Sequence, residues 1–315
     1  MKIERQFMPH PEGGEFSCLL ITTNPLLVKP SNGGAPAHDK PLLVFSHATG
    51  FNAATYLPLF GLLVDAMDIV ALDSRGHGQS RLPCQPHTLT SWERYYQDLD
   101  VLLQQLGRPC FLAGHSIGGT CSLALAKRRA NQIKGVVAMD PVFLDMRQGW
   151  SMRILKWLRR SDRFSLAAGA KRRKAVFPSA QDAYENYRQK RSFSSWPDHW
   201  LRAYTEAAFD KTADGVRLRC DPHWESRTFA MVEHAPWRHL KDNPVPALFL
   251  LAEKHSTCAL RSQDMIRIRQ PDWRLKVLPE SSHFLPMEQT QQVAHQLVTF
   301  VKNHSEQPLN RPQTV

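Results

Sequence analysis

The chain has 315 residues, 42% of them hydrophobic and 22% charged, with a formal net charge of +11. That length and composition suit one large domain with an insertion, or two small domains, and exclude a disordered chain. No apolar run is long enough to span a bilayer, and the start, Met1-Lys2-Ile3-Glu4-Arg5-Gln6-Phe7, has no apolar leader core, so a cytoplasmic location is expected. The charge is local: ten basic residues and one acidic residue (Asp162) lie between Arg147 and Lys174, which argues against a general nucleic-acid-binding character. The six cysteines (Cys18, Cys84, Cys110, Cys121, Cys220, Cys258) are scattered, and they read as reduced core thiols. With no CxxC, HExxH or Cys/His cluster, neither a metal nor a cofactor is expected.

In chain order, Leu42–Phe45 and Ile69–Leu72 read as short buried strands, and residues 91–106 carry apolar side chains at helical spacing. Cys110–Ala113 is a strand, Ile117–Ala130 a helix, and Ile133–Met139 a strand. The rhythm stops at Pro141 and resumes at Ala247–Leu251, then Trp273–Leu278, then a helix from about Glu288 to Lys302. This alternation predicts an α/β fold, a mostly parallel sheet with helices on both faces. The organisation expected is a core in two parts, 1–141 and 245–304, a mainly helical cap at 142–244, and a flexible tail at 305–315.

Four segments carry chemistry. Gly114-His115-Ser116-Ile117-Gly118 fits G-x-S-x-G between a strand and a helix, so Ser116 is the expected nucleophile and the Ile117 N–H an oxyanion donor. Phe45-Ser46-His47-Ala48-Thr49-Gly50-Phe51 follows the first core strand, with Thr49 N–H the candidate second donor. Asp73-Ser74-Arg75-Gly76-His77-Gly78 is read as a structural brace. Ser281-Ser282-His283-Phe284 follows the last strand, which makes His283 the expected proton shuttle.

Together these segments resemble the α/β-hydrolase superfamily with a cap. His47-Ala48-Thr49-Gly50-Phe51, Met139-Asp140-Pro141-Val142-Phe143 and Asp214–Cys220 are similar to a bacterial subgroup for which the resemblance implies a fold and a reaction class but no substrate. The implied reaction is hydrolysis of an ester or thioester of a small or acyl-chain substrate through an acyl-enzyme, and the basic run Lys171–Lys174 adds an anionic substrate as an option. Acyl transfer and non-catalytic ligand binding are the alternatives. A serine at the nucleophile position disfavours the haloalkane dehalogenase and epoxide hydrolase branches, which use an aspartate. The chain departs from the superfamily at the acid: His255 stands where a Gly-x-x-Asp turn would put the carboxylate. Asp140 is the favoured substitute and Glu253 the alternative, with Asp264 or no acid as the remaining options.

Within the cap, Trp150, Ile154, Trp157 and Leu158 share one helical face. That face is expected to pack on the core, with contact to an anionic membrane the less favoured alternative. Lys171-Arg172-Arg173-Lys174 is expected to be solvated. The aromatic residues Phe193, Trp196, Trp200, Trp224 and Trp237 suit either a pocket roof or a core of the cap itself. The oligomeric state is open.

Overall fold

The computed structural model describes residues 1–24 and 40–309. Strands β1 (Lys2–Pro9) and β2 (Glu15–Thr22) form an antiparallel hairpin, which the weak alternation of the N-terminus did not announce. Then come β3 (Leu42–Ser46), α1 (Leu57–Leu63), β4 (Asp68–Asp73), α2 (Glu93–Leu106), β5 (Cys110–His115), α3 (Ile117–Arg128) and β6 (Ile133–Met139). The segment after β6 carries α4 (Met146–Trp157), α5 (Ser165–Lys171), β7 (Val176–Phe177), α6 (Ala180–Arg188), α7 (Asp198–Ala207), β8 (Phe209–Thr212), β9 (Gly215–Leu218) and α8 (Pro222–Ala230). The chain closes with β10 (Ala247–Ala252), α9 (Leu260–Arg269), β11 (Arg274–Leu278), α10 (Leu285–Glu288) and α11 (Thr290–Ser305).

Among the described residues, eight strands form one sheet in the order β1-β2-β4-β3-β5-β6-β10-β11, parallel from β4 onward. Strands β3, β4 and β5 are buried along their whole length, as continuous apolar runs covered on both faces must be. One face packs on Leu99, Leu102 and Leu103 of α2 and on Leu123 and Leu125 of α3. The other packs on Leu59, Phe60 and Leu63 of α1 and on Leu297 and Val301 of α11. In such a sheet the carboxyl ends of the strands form the natural ligand crevice; Ser116, Asp140 and Glu253 each directly follow a strand, and Thr49 and His283 lie three and five residues beyond one.

The segment between β6 and β10 adds a small sheet to its helices and departs from expectation at two places. It contains a three-stranded sheet, β7-β9-β8, as well as helices; the Asp214-Gly215 pair at its hairpin is a turn signal. Arg173 is not solvated: its Nη1 donates to both carboxylate oxygens of Glu225 at 2.7 Å, and its Nε to Tyr187 Oη at 3.0 Å, while Lys171, Arg172 and Lys174 are exposed. The outer face of α4 does not pack on the core, for Trp150, Ile154, Trp157 and Leu158 are all exposed. The helix buries Gly149 and Met152 instead, its start fixed by a capping box in which Asp145 and Gln148 bond each other's backbone N–H. Trp196, Trp200 and Trp224 are buried. Five cysteines are buried and free; Cys84 is free but exposed, contrary to the core reading. The expected tail begins at the last residue of α11, and residues 310–315 lie outside the described part.

Candidate active site

Ser116 joins β5 to α3 with φ +57° and ψ −120°, a conformation that costs a non-glycine residue free energy and recurs at reactive positions. The turn is possible because its neighbours lack side chains. A Cβ on Gly118 would lie 2.1 Å from Ser46 O, and one on Gly114 would lie 2.2 Å from Gly118 C. The Ile117 N–H is at the first turn of α3, where helical geometry supplies no intrahelical acceptor and the positive end of the helix dipole lies.

The β3–α1 loop is pinned from both sides. His47 Nε2 accepts the Ser74 N–H at 2.9 Å, so its Nδ1 carries the proton and donates to Ala48 O at 2.7 Å. Burial lowers the pKa of His47, against the bond to Ala48 and the charge of Asp73, which raise it, and the ring stays neutral. On the other side the Ala48 N–H donates to Tyr56 Oη at 3.2 Å. Gly50 (φ +80°) lies against the Arg173–Glu225 pair; a Cβ there would come within 2.4 Å of Glu225 Oε1. The insertion therefore contacts this loop directly.

Asp140 directly follows β6, its N–H donating to Leu250 O at 2.7 Å and its φ of +39° turning the chain. The side chain is fully buried. Its Oδ2 accepts His283 Nδ1–H at 2.7 Å and the Thr257 N–H at 2.9 Å. Its Oδ1 accepts the Ala252 N–H at 3.1 Å and the Ser256 hydroxyl at 2.5 Å. Burial opposes the charge, but the bond and charge of His283 and the bonds from Ser256 and Thr257 outweigh it, and the carboxyl sits below its usual range. Glu253, the alternative acid, is exposed and accepts the Glu280 N–H at 3.0 Å. Asp264 is exposed and paired with Arg267. His255 is exposed with φ +56° and lines the cavity described below.

A second chain of bonds joins the histidine loop to the loop after β3. His283 O can only accept, so His115 Nε2 donates to it at 2.7 Å. His115 Nδ1 must then accept, and Tyr56 Oη donates to it, also at 2.7 Å. Burial, with the charge of His283 adding to it, lowers the His115 pKa to about 3, so this ring too is neutral. The sequence reading gave no role to Tyr56, Ser256 or Thr257. Tyr56 has no motif to mark it, while Ser256 and Thr257 follow the turn in which the acid was sought.

Ser116, His283 and Thr49 line one cavity of about 1190 Å³ together with residues of the insertion. Its apolar wall includes Val142, Leu144, Met152, Leu155, Phe229 and Val232. Among the described residues, five cations (Arg147, Arg172, Arg173, Lys174, Lys190) lie on the lining, and Glu225 is its one carboxylate. The Asp73–Gly78 brace is as expected: Asp73 accepts the Ala53 and Gln79 N–H groups at 2.8 and 2.9 Å, and Arg75, fully buried, donates from Nε and Nη2 to Asp98. Among the described residues no group of three or more His, Cys, Asp or Glu is placed to hold a metal, and no helix is long and apolar enough to cross a membrane.

A mainly parallel sheet with helices on both faces, and a serine on a strained strand-to-helix turn at its carboxyl edge, define the α/β-hydrolase fold. The chain belongs to the Alpha/beta hydrolase family, whose profile matches residues 43–296. It is 35% identical over 101 residues to 2-(acetamidomethylene)succinate hydrolase of Mesorhizobium japonicum, which is 32% of this chain and 35% of that protein. The match thus spans about a third of that relative's length. Among solved structures it resembles E-2-(acetamidomethylene)succinate hydrolase with a TM-score of 0.74 at 17% identity, over 96% of this chain and 100% of that one. It also resembles the thioesterase domain from the curacin biosynthetic pathway with a TM-score of 0.72 at 17% identity, over 95% and 100% of the two chains.

Proposed function

We propose that this protein is a serine hydrolase that cleaves esters or thioesters of acyl-chain acids through an acyl-enzyme on Ser116. The observation that carries the proposal is the 2.7 Å bond from His283 Nδ1–H to a buried, ionised Asp140, on a cavity that Ser116 also lines. That bond fixes the tautomer of His283 and leaves Nε2 as the base. Ser116 Oγ attacks the acyl carbon while His283 Nε2 takes its proton, and Asp140 stabilises the resulting imidazolium. The Thr49 and Ile117 N–H groups receive the charge that develops on the carbonyl oxygen. His283 returns the proton to the leaving oxygen or sulfur; water, deprotonated by the same nitrogen, then releases the acid.

The apolar wall suits an acyl chain, and the lining cations suit an anionic group on the same molecule. The segment between β6 and β10 would act as the cap, holding both parts of the cavity over Ser116. The test is intact mass of the wild type and of Ser116→Ala after treatment with a fluorophosphonate, followed by a panel of esters matched with and without a carboxylate. One adduct on the wild type alone supports the reading. A folded wild type that stays unlabelled sinks it.

A further inference from the structure

Helix α4 is two-sided in an unusual way. Its inner side lines the cavity through Gln148, Ser151, Met152 and Leu155, and it approaches the chain after α8 so closely that a Cβ on Gly149 would meet His234 O at 2.3 Å. Lys156 also turns inward, donating to Val232 O at 2.6 Å. The outer side is apolar. Met146, Trp150, Ile154, Trp157 and Leu158 recur at steps of three and four and so form one stripe. Trp157 is 80% exposed and Trp150 56%. With Leu166 of α5, these make up six of the fourteen exposed large apolar side chains among the described residues, so the apolar surface is concentrated here rather than scattered.

Cations border the stripe. Arg147, Arg153, Arg159, Arg160 and Arg163 are exposed, and among the described residues none of them has an ion-pair partner. The Arg153 guanidinium lies over the Trp150 ring at 5.2 Å. A symmetric second copy would bring two such arginine clusters together, whereas lipid phosphates would neutralise them. Tryptophan and arginine on one short helix are the side chains that settle at the boundary between headgroups and acyl chains.

We propose that the outer face of α4 docks the protein on an anionic lipid surface, its tryptophans inserted among the headgroups and its arginines paired with phosphates. The cavity that α4 and α5 line then lies close to that surface. This docking does not depend on the chemistry at Ser116.

The test is co-sedimentation of the full chain with vesicles of phosphatidylcholine alone or mixed with phosphatidylglycerol. The wild type is expected to bind the anionic vesicles at low salt, and to bind the neutral ones at least about tenfold more weakly. Trp150→Ser with Trp157→Ser should weaken anionic binding about a hundredfold, roughly tenfold for each half-inserted ring. Arg153→Gln, Arg159→Gln and Arg160→Gln together should remove the preference for anionic vesicles. All these side chains are exposed, and unchanged thermal melts would show that the variants fold. The proposal is overturned by no binding to anionic vesicles at low salt, or by a tryptophan variant that binds like the wild type. A wild-type dimer whose association is lost in the tryptophan variant would equally overturn it and make a second copy the occupant.

Discussion

Replacing Asp140 by asparagine probes the acid most sharply, because every neighbour of its carboxylate is a donor. Oδ1 faces the Ala252 N–H and the Ser256 hydroxyl, and Oδ2 faces the Thr257 N–H and His283 Nδ1. An asparagine amide turned either way sets its NH2 against a backbone N–H, Ala252 in one orientation and Thr257 in the other. With the amide oxygen toward His283 the tautomer survives, but the charge that stabilises the imidazolium is gone. With the NH2 toward His283 the tautomer is reversed and Nε2 is no longer a base. The expected slowing of Ser116 is about 10⁴-fold, as when the aspartate of a serine–histidine site becomes asparagine, a barrier increase of about 5.5 kcal/mol. The unpaired donor should also cost about 1 to 3 kcal/mol of stability. The assay is the second-order rate of fluorophosphonate labelling, divided by the folded fraction from a melt at the same temperature. Glu253→Gln, at an exposed position, should label within about twofold of wild type. Labelling of folded Asp140→Asn within about tenfold of wild type would refute the assignment, since that is under 1.5 kcal/mol.

Three further outcomes follow from the geometry. Tyr56→Phe removes the link between the Ala48 N–H and His115 Nδ1, and should cost about 1 to 3 kcal/mol and slow labelling of folded protein; a rate equal to wild type would make the link merely structural. Arg173→Met leaves Glu225 buried without its ion-pair partner and should destabilise by about 3 to 5 kcal/mol, while adding Glu225→Leu should restore much of the loss; a double variant no better than the single one contradicts this in urea titrations. His77 and His115 are buried with pKa values lowered to about 3, chiefly by burial, against 6.5 for the free side chain. The unfolded state therefore binds more protons below pH 6.5, so stability is full above that pH and falls towards pH 3. The loss is roughly 2 kcal/mol per ring by pH 5. Urea unfolding at pH 7 and pH 5 should show it, with the drop smaller by roughly 2 kcal/mol in His115→Gln; equal drops in the two proteins would contradict it.

The central part of this fold was legible because its strands are apolar runs closed by glycine turns. Leu42–Ser46, Cys110–His115 and Ile133–Met139 fall within two residues of where their composition put them. Ser116 and His283 were legible for the same reason, as each follows a recognisable strand. Asp140 was reached as a candidate acid only from its place after the strand that precedes the insertion, since nothing local to it states that Ser256, Thr257 and Ala252 will converge on it from more than a hundred residues away. The surface of the insertion was misread for a related reason. Periodicity identifies the stripe on α4 but cannot say which side of the helix meets the core; Gly149 and Met152, the less apolar-looking side, are the ones buried. Arg173 sat in a basic run that looked solvated, and its partner Glu225 is 52 residues away in the chain.

The account stands or falls on covalent chemistry at Ser116. The most direct measurement is rapid-quench intact mass after mixing with an activated acyl ester, with peptide mapping of any adduct. The account predicts an acyl mass on Ser116 that forms within the burst, decays as free acid appears, and is absent from Ser116→Ala. Turnover without any acyl adduct in the wild type, or turnover that persists in Ser116→Ala, would contradict it.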